Sequence, residues 1–394
     1  MVESTDIAVV GGGPVGLATA LLMAESGREV TLLAPEPPGP DRRTSALLGD
    51  SIALLERAGV WANLMPRVAP LRTIRIVDAT RRLVRAPEVA FEADEIGREA
   101  FGYNVPNALL VAALTERLSG SGAICSSTAV TEAETGPGGV TLALDDGSQL
   151  QARLVVAADG RRSTMRGVAG IEARTWRYPQ SALVCNLTHE ADHRDVSVEF
   201  HTEHGPMTFV PLPADDAGRS RSSLVWVDAP EAVKRRLEAS AGDLADEISR
   251  RSSWILGSVT IEGGVRQAFP LSGLSVDRFA DRRVALAGEA AHVFPPIGAQ
   301  GLNLGYRDAA AAVGAFGGPD GDPGTDTRLA AYSRDRLTDV RLRTAAVDGL
   351  NRSLLAGLLP AQILRGLGLF ALGTIPTLRR RAMGLGLGTS ETAP

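Results

Sequence analysis

The sequence predicts an α/β (α+β) fold in which a Rossmann-like, dinucleotide-binding domain carries an inserted antiparallel sheet and is followed by C-terminal helices. Residues 7–10 form a short apolar strand pattern that leads directly into a glycine-rich turn, a helix pattern ending near Gly27, and a second strand pattern at Val30–Leu33. Alternating apolar and polar residues, typical of an antiparallel sheet, fill much of residues 174–270. Strand and helix patterns return after Arg283, so the first domain lies on both sides of the insert.

Composition excludes several classes of protein. The chain has 394 residues, of which 44% are hydrophobic and 22% charged, as in ordinary globular proteins, and its length favours two closely connected domains. The net charge is −5, with 46 acidic and 41 basic residues, so we expect no nucleic-acid partner. Cys125 and Cys185 stand 60 positions apart without a CxxC pair, which indicates neither a disulfide framework nor a zinc site.

The two ends of the chain indicate where the protein works. Residues 1–6 lack the basic start and apolar run of a signal peptide, so we expect a cytoplasmic protein in a reducing compartment. Pro360 and Arg365 interrupt the most apolar C-terminal region, which therefore does not predict a membrane span. Residues 354–378 are followed by three arginines. This end fits either helices packed on the core or a surface resting peripherally on an anionic inner membrane.

Further elements follow the second strand in order. Helices are predicted at 51–58, 107–118, 304–316 and 329–350. Strands are predicted at Val140–Leu144, 150–157, 196–200, 207–210, 223–227, Val259–Ile261 and 283–287. Asp146-Gly147 is a turn signal between the first two of these strands, and residues 317–327 form a surface loop rich in Gly, Pro and Asp.

The glycine-rich turn is the first segment that carries chemistry. Gly11 permits the tight turn, Gly13 allows close approach of a pyrophosphate, and Gly16 allows close packing of helix on strand. The amides at the start of the following helix attract negative charge. Ala34 stands where an acidic residue usually binds the adenosine ribose; Glu36 either takes that role or is a solvated loop carboxylate.

A second segment, residues 157–166, follows a predicted strand. Asp159, Ser163 and Arg166 stand at spacings that can hold the edge of a dinucleotide and cap the next helix. The alternative interpretation is an ordinary turn with an N-cap serine, because both features are common in proteins.

A third segment, residues 283–305, places Glu289 after a strand and then runs through a loop rich in Pro and Gly to the start of a long helix. Such a helix start stabilises negative charge that develops on a bound ring. We interpret His292 as a structural, hydrogen-bonded histidine in preference to a base or a ligand, because no other His or Cys clusters near it in the sequence. No metal site is predicted.

These three segments, in this order and spacing, resemble the FAD-dependent aromatic hydroxylases of the p-hydroxybenzoate hydroxylase fold, and the resemblance covers nearly the whole chain. It implies that the first segment binds the ADP part of FAD and that Asp159 contacts both FAD and the pyridine nucleotide. The third segment then holds the ribityl chain and the flavin ring. Glu289 replaces a family aspartate and keeps the acceptor on a side chain that is longer by one methylene.

The resemblance also assigns residues and domain boundaries. The residues expected to bind FAD are Gly11, Gly13, Pro14, Val15, Gly16, Glu36, Arg43, Val130, Asp159, Gly160, Gly288, Glu289, Gly301, Leu302 and Asn303. The loop expected beside the reactive face of the flavin contains Pro295, Pro296 and Gly298. The implied domains are an FAD-binding domain (1–70, 101–173 and 281–330), a substrate domain (71–100 and 174–280) and a C-terminal helical region (331–394). The residue that moves the phenolic proton is not assigned.

Several other stretches look like the ubiquinone-biosynthesis hydroxylase branch of this fold. They are residues 43–47 with Ser51, Leu55 and 59–61, then 102–107, 205–212, 268–271, and 299–305 with Arg307 and Asp308. The branch implies that NAD(P)H reduces the FAD, that dioxygen then gives a flavin hydroperoxide, and that the ring of a polyprenylated phenol takes up the distal oxygen. The cofactor carries this chemistry, so neither a catalytic triad nor a metal cluster is required.

Three alternatives stay open at this point. A nicotinamide-dependent Rossmann dehydrogenase shares the first segment but lacks the flavin loop. A related FAD monooxygenase acting on a soluble aromatic or polyketide substrate shares every flavin motif. A non-catalytic flavoprotein in a membrane-associated biosynthetic complex would bind FAD without oxygen-coupled turnover.

Overall fold

The computed structural model describes residues 3–36, 39, 41–80, 87–295, 298–355 and 375–387. The strands, in chain order, are β1 (Glu3–Val10), β2 (Val30–Leu33), β3 (Thr44–Leu48), β4 (Ala69–Pro70), β5 (Thr73–Asp78), β6 (Val89–Glu92), β7 (Gly102–Pro106), β8 (Ile124–Ser126), β9 (Val130–Thr135), β10 (Val140–Leu144), β11 (Gln149–Ala157), β12 (Ala173–His189), β13 (Val196–His201), β14 (Pro206–Leu212), β15 (Ser220–Asp228), β16 (Val259–Ile261), β17 (Gln267–Val276), β18 (Ala280–Asp281), β19 (Val284–Leu286) and β20 (His292–Val293). The helices are α1 (Pro14–Glu25), α2 (Gly49–Arg57), α3 (Trp61–Leu64), α4 (Asn107–Ser119), α5 (Thr164–Val168), α6 (Pro230–Glu238), α7 (Ala241–Arg251), α8 (Gln300–Phe316), α9 (Asp326–Leu355) and α10 (Pro376–Leu387).

The first sheet has eight strands and holds the dinucleotide-binding pattern. Its main path runs β18-β19-β11-β1-β2-β8, and the neighbours from β19 to β8 are parallel. The apolar run Ile7, Ala8 and Val9 in β1 is fully buried because helices cover both faces of a parallel sheet. Helices α1 and α8 pack on this sheet, and the largest buried cluster of the protein lies between them.

The second sheet has nine strands and is mostly antiparallel. Its path runs β20-β17-β12-β15-β14-β13-β5-β6, with β16 added beside β12. One face is covered by α6 and α7, whose Val233, Leu244 and Ile248 share a core with strand residues such as Leu183 and Trp226. The alternation of the sequence in this region reflects that one-sided cover.

Three contacts join the second sheet to the first domain. Strand β20, which belongs to the third sequence segment, pairs with β17. The Asn104 side chain, from a small sheet of order β3-β7-β4, donates a 2.9 Å hydrogen bond to the carbonyl of Pro211 in β14. Arg43, just before β3, lies 5.9 Å from the ring centre of Phe269 in β17. The sheet is thereby held against the edge of the first domain.

Helix α9 crosses the predicted boundary between residues 330 and 331 without a break. The Tyr332 hydroxyl donates to the carbonyl of Leu286 in β19 at 2.8 Å, and Ser333 accepts from the amide of Phe279 at 2.9 Å. The first half of α9 is therefore part of the first domain's core.

The C-terminal helix α10 docks on the outer strand of the second sheet. Arg379 pairs with Glu95 and lies 4.9 Å from the ring centre of Phe91, and Met383 is buried in the same cluster. This part of the C-terminal region agrees with the interpretation of helices packed on the core. Pro360 and Arg365, which interrupt the most apolar C-terminal stretch of the sequence, lie outside the described residues.

A buried carboxylate connects four segments of the chain. Asp308 in α8 is fully buried; its Oδ2 accepts from the amide of Gly288 at 2.8 Å and from Nε2 of His292 at 2.7 Å. Its Oδ1 accepts from Nε of Arg336 in α9 at 2.7 Å. Burial alone would raise the pKa of Asp308, but the charges of His292 and Arg336 and the hydrogen bonds outweigh it and hold that pKa below its usual range.

The predicted elements mostly appear with shifted ends. The helix predicted at 304–316 begins at Gln300, and the one predicted at 329–350 is α9. Strands β3 and β7 were not predicted, because Thr44–Leu48 and Gly102–Pro106 lack a clear period-2 pattern and become strands by pairing with each other.

We expect Asp308→Asn to lower the free energy of unfolding by about 3 kcal/mol, because it removes one of the two carboxylates that pair with the buried Arg336 and leaves only Asp339. A carboxylate whose pKa is depressed in the folded protein stabilises the fold fully above its unfolded pKa of about 3.9. This stabilisation is lost as the pH falls through the pKa of the folded state. Urea unfolding at pH 7 and at acidic pH measures this, and the gap between wild type and variant should narrow on acidification. Asp50→Asn, which removes a half-exposed pair with Arg307, is the control and should cost less than about 1 kcal/mol.

Candidate active site

The three sequence segments meet at one edge of the first sheet. They follow β1, β11 and β19, which are neighbouring parallel strands, so their carboxyl ends lie side by side. The register brings Val10 beside Ala157 and Ala157 beside Leu286. Ligands of open α/β sheets bind at this edge, where the strand order reverses.

The glycine turn is built for close backbone approach. Gly11 has a φ of +122°, and a Cβ there would lie 2.3 Å from the carbonyl oxygen of Ala158. A Cβ on Gly16 would lie 1.9 Å from the carbonyl oxygen of Gly11. At Gly13, by contrast, a Cβ would meet no atom within 4 Å, so this position faces open space.

Helix α1 begins at this open space with free amides. Pro14 occupies its first turn and has no N–H, and no side chain caps the helix. The amides of Val15 and Gly16 therefore have no intrahelical acceptor. Together with the helix dipole they suit the oxygens of a pyrophosphate.

Asp159, at the end of β11, has a buried oxygen without a partner. Its Oδ2 accepts from the amide of Met165 at 3.2 Å, but its Oδ1 is buried and has no hydrogen-bond donor within the protein. A buried carboxylate oxygen needs a donor, and a ribose hydroxyl or a water supplies one. Gly160 beside it has a φ of +80° and open space where a Cβ would point.

Arg166 links the second segment to the third. It donates a 2.8 Å bond to the carbonyl of Ala290, and its own amide is capped by Ser163 at 2.9 Å. Sequence reasoning gave both an N-cap role and a ligand role to this segment. The structure shows the cap and leaves Asp159 Oδ1 for a ligand.

The turn after β19 packs directly on the glycine turn. Gly288 has a φ of +61°, and a Cβ there would lie 3.2 Å from the Val15 side chain; at Gly305 of α8 the distance would be 2.5 Å. The side chain of Val15 therefore joins the first and third segments. Glu289 points away from this contact and is exposed.

Arg43 faces Glu289 across the same edge. Its guanidinium forms a 2.8 Å ion pair with Asp41, which also accepts a 3.0 Å bond from Asn107. The hydrogen bond with Asp41 is the main cause that raises the pKa of Arg43, against opposing burial, and the charge of Glu289 adds to it. The half-exposed Arg43 lies 5.9 Å from the ring centre of Phe269, where the two sheets meet.

Asn303, near the start of α8, uses its side chain within the protein. Its Oδ1 accepts from the amide of Leu48 at 2.9 Å and from Ser51 Oγ at 2.6 Å. Its Nδ2 donates to the carbonyls of Ala46 at 2.8 Å and Ala299 at 2.6 Å. Any contact of Asn303 with a ligand is therefore left to its backbone, as the resemblance implies for Leu302 and Asn303.

The remaining predicted site residues lie around this edge. Glu36 is exposed beyond the end of β2, whereas Ala34 packs on the turn, since a Cβ on Gly12 would lie 2.8 Å from it. Val130 is the first residue of β9 and pairs with Leu144 of β10. Pro295, Gly298 and Gly301 lie before and at the start of α8, whereas Pro296 lies outside the described residues.

His292 is positioned by structural contacts. Its Nε2 binds Asp308, and its ring lies 5.3 Å from that of Phe294 and 6.1 Å from that of Phe279. Among the described residues, no group of three His, Cys, Asp or Glu side chains is arranged to hold a metal ion. No helix in the same part of the chain combines the length and apolar character needed to cross a bilayer.

The second sheet presents a partly open surface towards this edge. We call its six partly exposed residues the open face: Val184, Asn186, Glu199, Thr208, Val210 and Val225. They alternate along β12 to β15 with residues that are buried beneath α6 and α7. The resemblance assigned residues 174–280 to the substrate domain but did not single out these positions. The polar residues inside the alternating runs were the available signal.

The chemistry of this edge fits FAD. The start of α1 offers free amides for a pyrophosphate, and Asp159 offers a buried carboxylate oxygen that lacks a donor. Gly13 and Gly160 have open space beside their backbone, which a ligand can approach closely. The open face lies opposite and combines three valines with three polar residues, a mixture found in small-molecule sites. The fold and the chemistry of this edge are those of an FAD-binding protein.

Comparison with known proteins identifies the family. Residues 4–345 match the family described as "FAD binding domain", and the chain belongs to this family. The chain is 34% identical to "Ubiquinone hydroxylase UbiL" of Rhodospirillum rubrum, over 99% of this chain and 91% of that protein. It is 31% identical to "3-demethoxyubiquinol 3-hydroxylase" of Escherichia coli, over 98% of this chain and 99% of that protein.

Solved structures share the fold at lower sequence identity. The p-nitrophenol 4-monooxygenase PnpA of Pseudomonas putida superimposes with a TM-score of 0.78 at 20% identity, covering 99% of this chain and all of that one. PqsL of Pseudomonas aeruginosa gives a TM-score of 0.77 at 21% identity and covers 93% of this chain and 100% of that one. The predicted fold class, the family resemblance and FAD as cofactor are confirmed.

Two glycine variants separate folding from cofactor binding. We expect Gly16→Ala to lower the free energy of unfolding by about 3 kcal/mol, because its methyl group would overlap the Gly11 carbonyl. Gly13→Ala should keep the stability of the FAD-free protein within about 1 kcal/mol and weaken FAD binding about 10-fold or more, because its methyl group points into the ligand space. Urea unfolding and FAD titration measure the two effects; normal FAD affinity in Gly13→Ala would contradict the placement of the pyrophosphate.

Proposed function

We propose that this protein is an FAD-dependent monooxygenase that hydroxylates the aromatic ring of a polyprenylated phenol in ubiquinone biosynthesis. The observation that carries the proposal is the similarity to two proteins named for ubiquinone-pathway hydroxylation, at 34% and 31% identity over nearly the whole of each chain. Full-length similarity includes the second sheet, which forms the substrate wall, as well as the FAD-binding elements.

In this proposal the edge of the first sheet holds FAD in three parts. The glycine turn and the first amides of α1 bind the pyrophosphate, and Asp159 Oδ1 accepts a hydrogen bond from the cofactor. Glu289 and Arg43 flank the ribityl chain and the flavin, and the first turn of α8 at Gly301 and Leu302 offers amides to the pyrimidine edge. Gly160, Gly288, Val130 and Glu36 complete the assigned set, and Pro295 and Gly298 lie beside the reactive face.

When bound, FAD supplies the reduction by NAD(P)H and the activation of dioxygen. The protein's own residues hold the phenol ring between the flavin site and the open face. Val184, Val225 and Val210 exclude water from the ring and leave it in an apolar environment. This arrangement protects the activated oxygen and orients one ring carbon towards it.

The proposed substrate carries a lipid tail, so we also propose that the protein works in the cytoplasm at the surface of the inner membrane. Helix α10 supports this part of the proposal. Arg380 and Arg381 are exposed, as are Ile375 at 47% and Leu378 at 44%, whereas Arg379 is tied to Glu95. Basic and apolar side chains side by side suit an anionic lipid surface.

The test of the substrate is a gene deletion in the source organism, followed by mass spectrometry of its quinone-pathway lipids. We expect accumulation of a prenylated intermediate that lacks one ring oxygen, and a normal profile once the intact gene is restored. A variant gene carrying Gly13→Ala should fail to restore it. An unchanged profile in a strain without a redundant hydroxylase would instead favour a soluble aromatic or polyketide substrate.

Vesicle sedimentation tests the membrane proposal. We expect the double variant Arg380→Gln/Arg381→Gln to bind anionic vesicles about 30-fold more weakly, since each exposed basic residue contributes about 1 kcal/mol. The control is Lys234→Gln/Arg235→Gln on α6, which removes two adjacent exposed charges from the far side of the second sheet. Equal losses in both variants would show that net charge alone, and not α10, governs binding.

A further inference from the structure

The open face carries one carboxylate whose position has no role so far in the fold or in FAD binding. Glu199 lies in β13, and its side chain is 23% exposed. Nε2 of His201 donates a 2.6 Å hydrogen bond to Oε1 of Glu199. The hydroxyl of Thr208, on the neighbouring strand, lies 3.4 Å from Oε2. Oε1 is therefore fixed, and Oε2 has only a weak partner within the protein.

The register shows that Glu199 faces the first domain. A row of directly opposed residues crosses the sheet and consists of Ile76, Glu199, Thr208, Val225 and Val184. At one end of the row, Ile76 packs in a cluster with Leu48 and Phe101. Residues that lie directly opposite each other share one face of a sheet, so Glu199 lies on the side that faces β3 and the flavin site.

The other end of the row lies near the flavin contacts. Val184 and Val225 pack against the cluster of Ala182 and Val227. Ala182 in turn pairs with Phe269, the residue beside Arg43. Ile76 and Val184, at the two ends of the row, pack against neighbouring apolar clusters, and all five residues of the row stay partly exposed. Partial exposure of this kind is typical of the floor of a cleft. Here the floor places the Glu199 carboxylate beside an apolar surface of about the size of an aromatic ring.

We propose that Glu199 accepts the proton of the substrate's phenolic hydroxyl and that His201 positions it. The phenolic O–H bond breaks, its proton passes to Oε2 of Glu199, and the bonding electron pair stays on the phenolic oxygen. The released electron pair on the phenolic oxygen raises the electron density of the ring. His201 keeps the carboxylate in place through Oε1. This inference rests on the proposed phenolic substrate.

The neighbouring groups make Glu199 the carboxylate nearest to the ring. Strand β14 presents Pro206, Thr208 and Val210 to this face and contributes no titratable group. On β5, Asp78 lies opposite His201, one row away from the valines. A phenol that rests on Val225 and Val184 therefore meets Glu199 before any other carboxylate of these strands.

Binding measurements test the proposal without turnover. The FAD-loaded, oxidised full-length protein is titrated by calorimetry with 2-prenylphenol and its methyl ether, and with phenol and anisole. We expect wild type to bind each phenol about 10-fold more tightly than its ether, since a hydrogen bond to a charged acceptor is lost with the ether. Glu199→Leu should abolish this preference and Glu199→Gln should reduce it. Glu238→Gln, on α6 beneath the opposite face, removes the same charge and should retain it.

A spectroscopic readout separates proton acceptance from a structural role. Bound 4-nitrophenol should ionise at a pH about one unit higher on wild type than on Glu199→Gln, because the carboxylate disfavours a phenolate beside it. Its phenolate absorbs visible light, so the titration is followed directly. His201→Leu should lower the preference for phenols partly, and His201→Gln, which keeps an N–H donor, should restore it.

The outcomes distinguish this inference from the proposed function. A full preference for phenols in Glu199→Gln and Glu199→Leu, together with unchanged ionisation of 4-nitrophenol, would overturn the role of Glu199. If 2-prenylphenol binds no more tightly than phenol, the prenylated substrate is wrong. In that case the comparison of phenol with anisole still decides whether Glu199 is the acceptor.

Discussion

The buried carboxylate of Asp308 is the constraint on which the arrangement of the site depends. It receives hydrogen bonds from the turn after β19, from β20 and from α9, and so fixes three segments to α8. A buried charge is tolerated only when it is paired and hydrogen-bonded, so these segments have few alternative positions. Because β20 also pairs with β17, the same carboxylate indirectly sets how the second sheet meets the flavin edge.

Close backbone contacts also hold the three cofactor-binding segments together. The glycine turn touches the end of β11, and Val15 fills the space between Gly288 and Gly305. The three segments that flank the cofactor are thus in mutual contact through atoms of the protein itself. A preorganised edge of this kind lowers the ordering cost of binding a large cofactor.

The two sheets offer different chemical groups to a cofactor and to a substrate. The first offers amides, positive φ turns and a buried carboxylate oxygen, which suit a charged and flexible cofactor. The second offers valines interrupted by a few polar groups, which suits an aromatic ring whose hydroxyl has to be recognised. Arg43, just before β3, lies at their junction, 5.9 Å from the ring centre of Phe269 in the second sheet.

The sequence by itself determined the fold class, the order of the three cofactor segments and most helices, because glycine spacing, apolar runs and helical periodicity are local patterns. It also indicated that His292 is structural. The tertiary contacts were needed to show that Asp308 holds that histidine and is itself paired with Arg336, that Tyr332 of α9 bonds to β19, and that β3 pairs with β7. The tertiary structure likewise decided which residues of the alternating strands form the open face, since the register between strands distant in sequence depends on their pairing and cannot be read from any one strand.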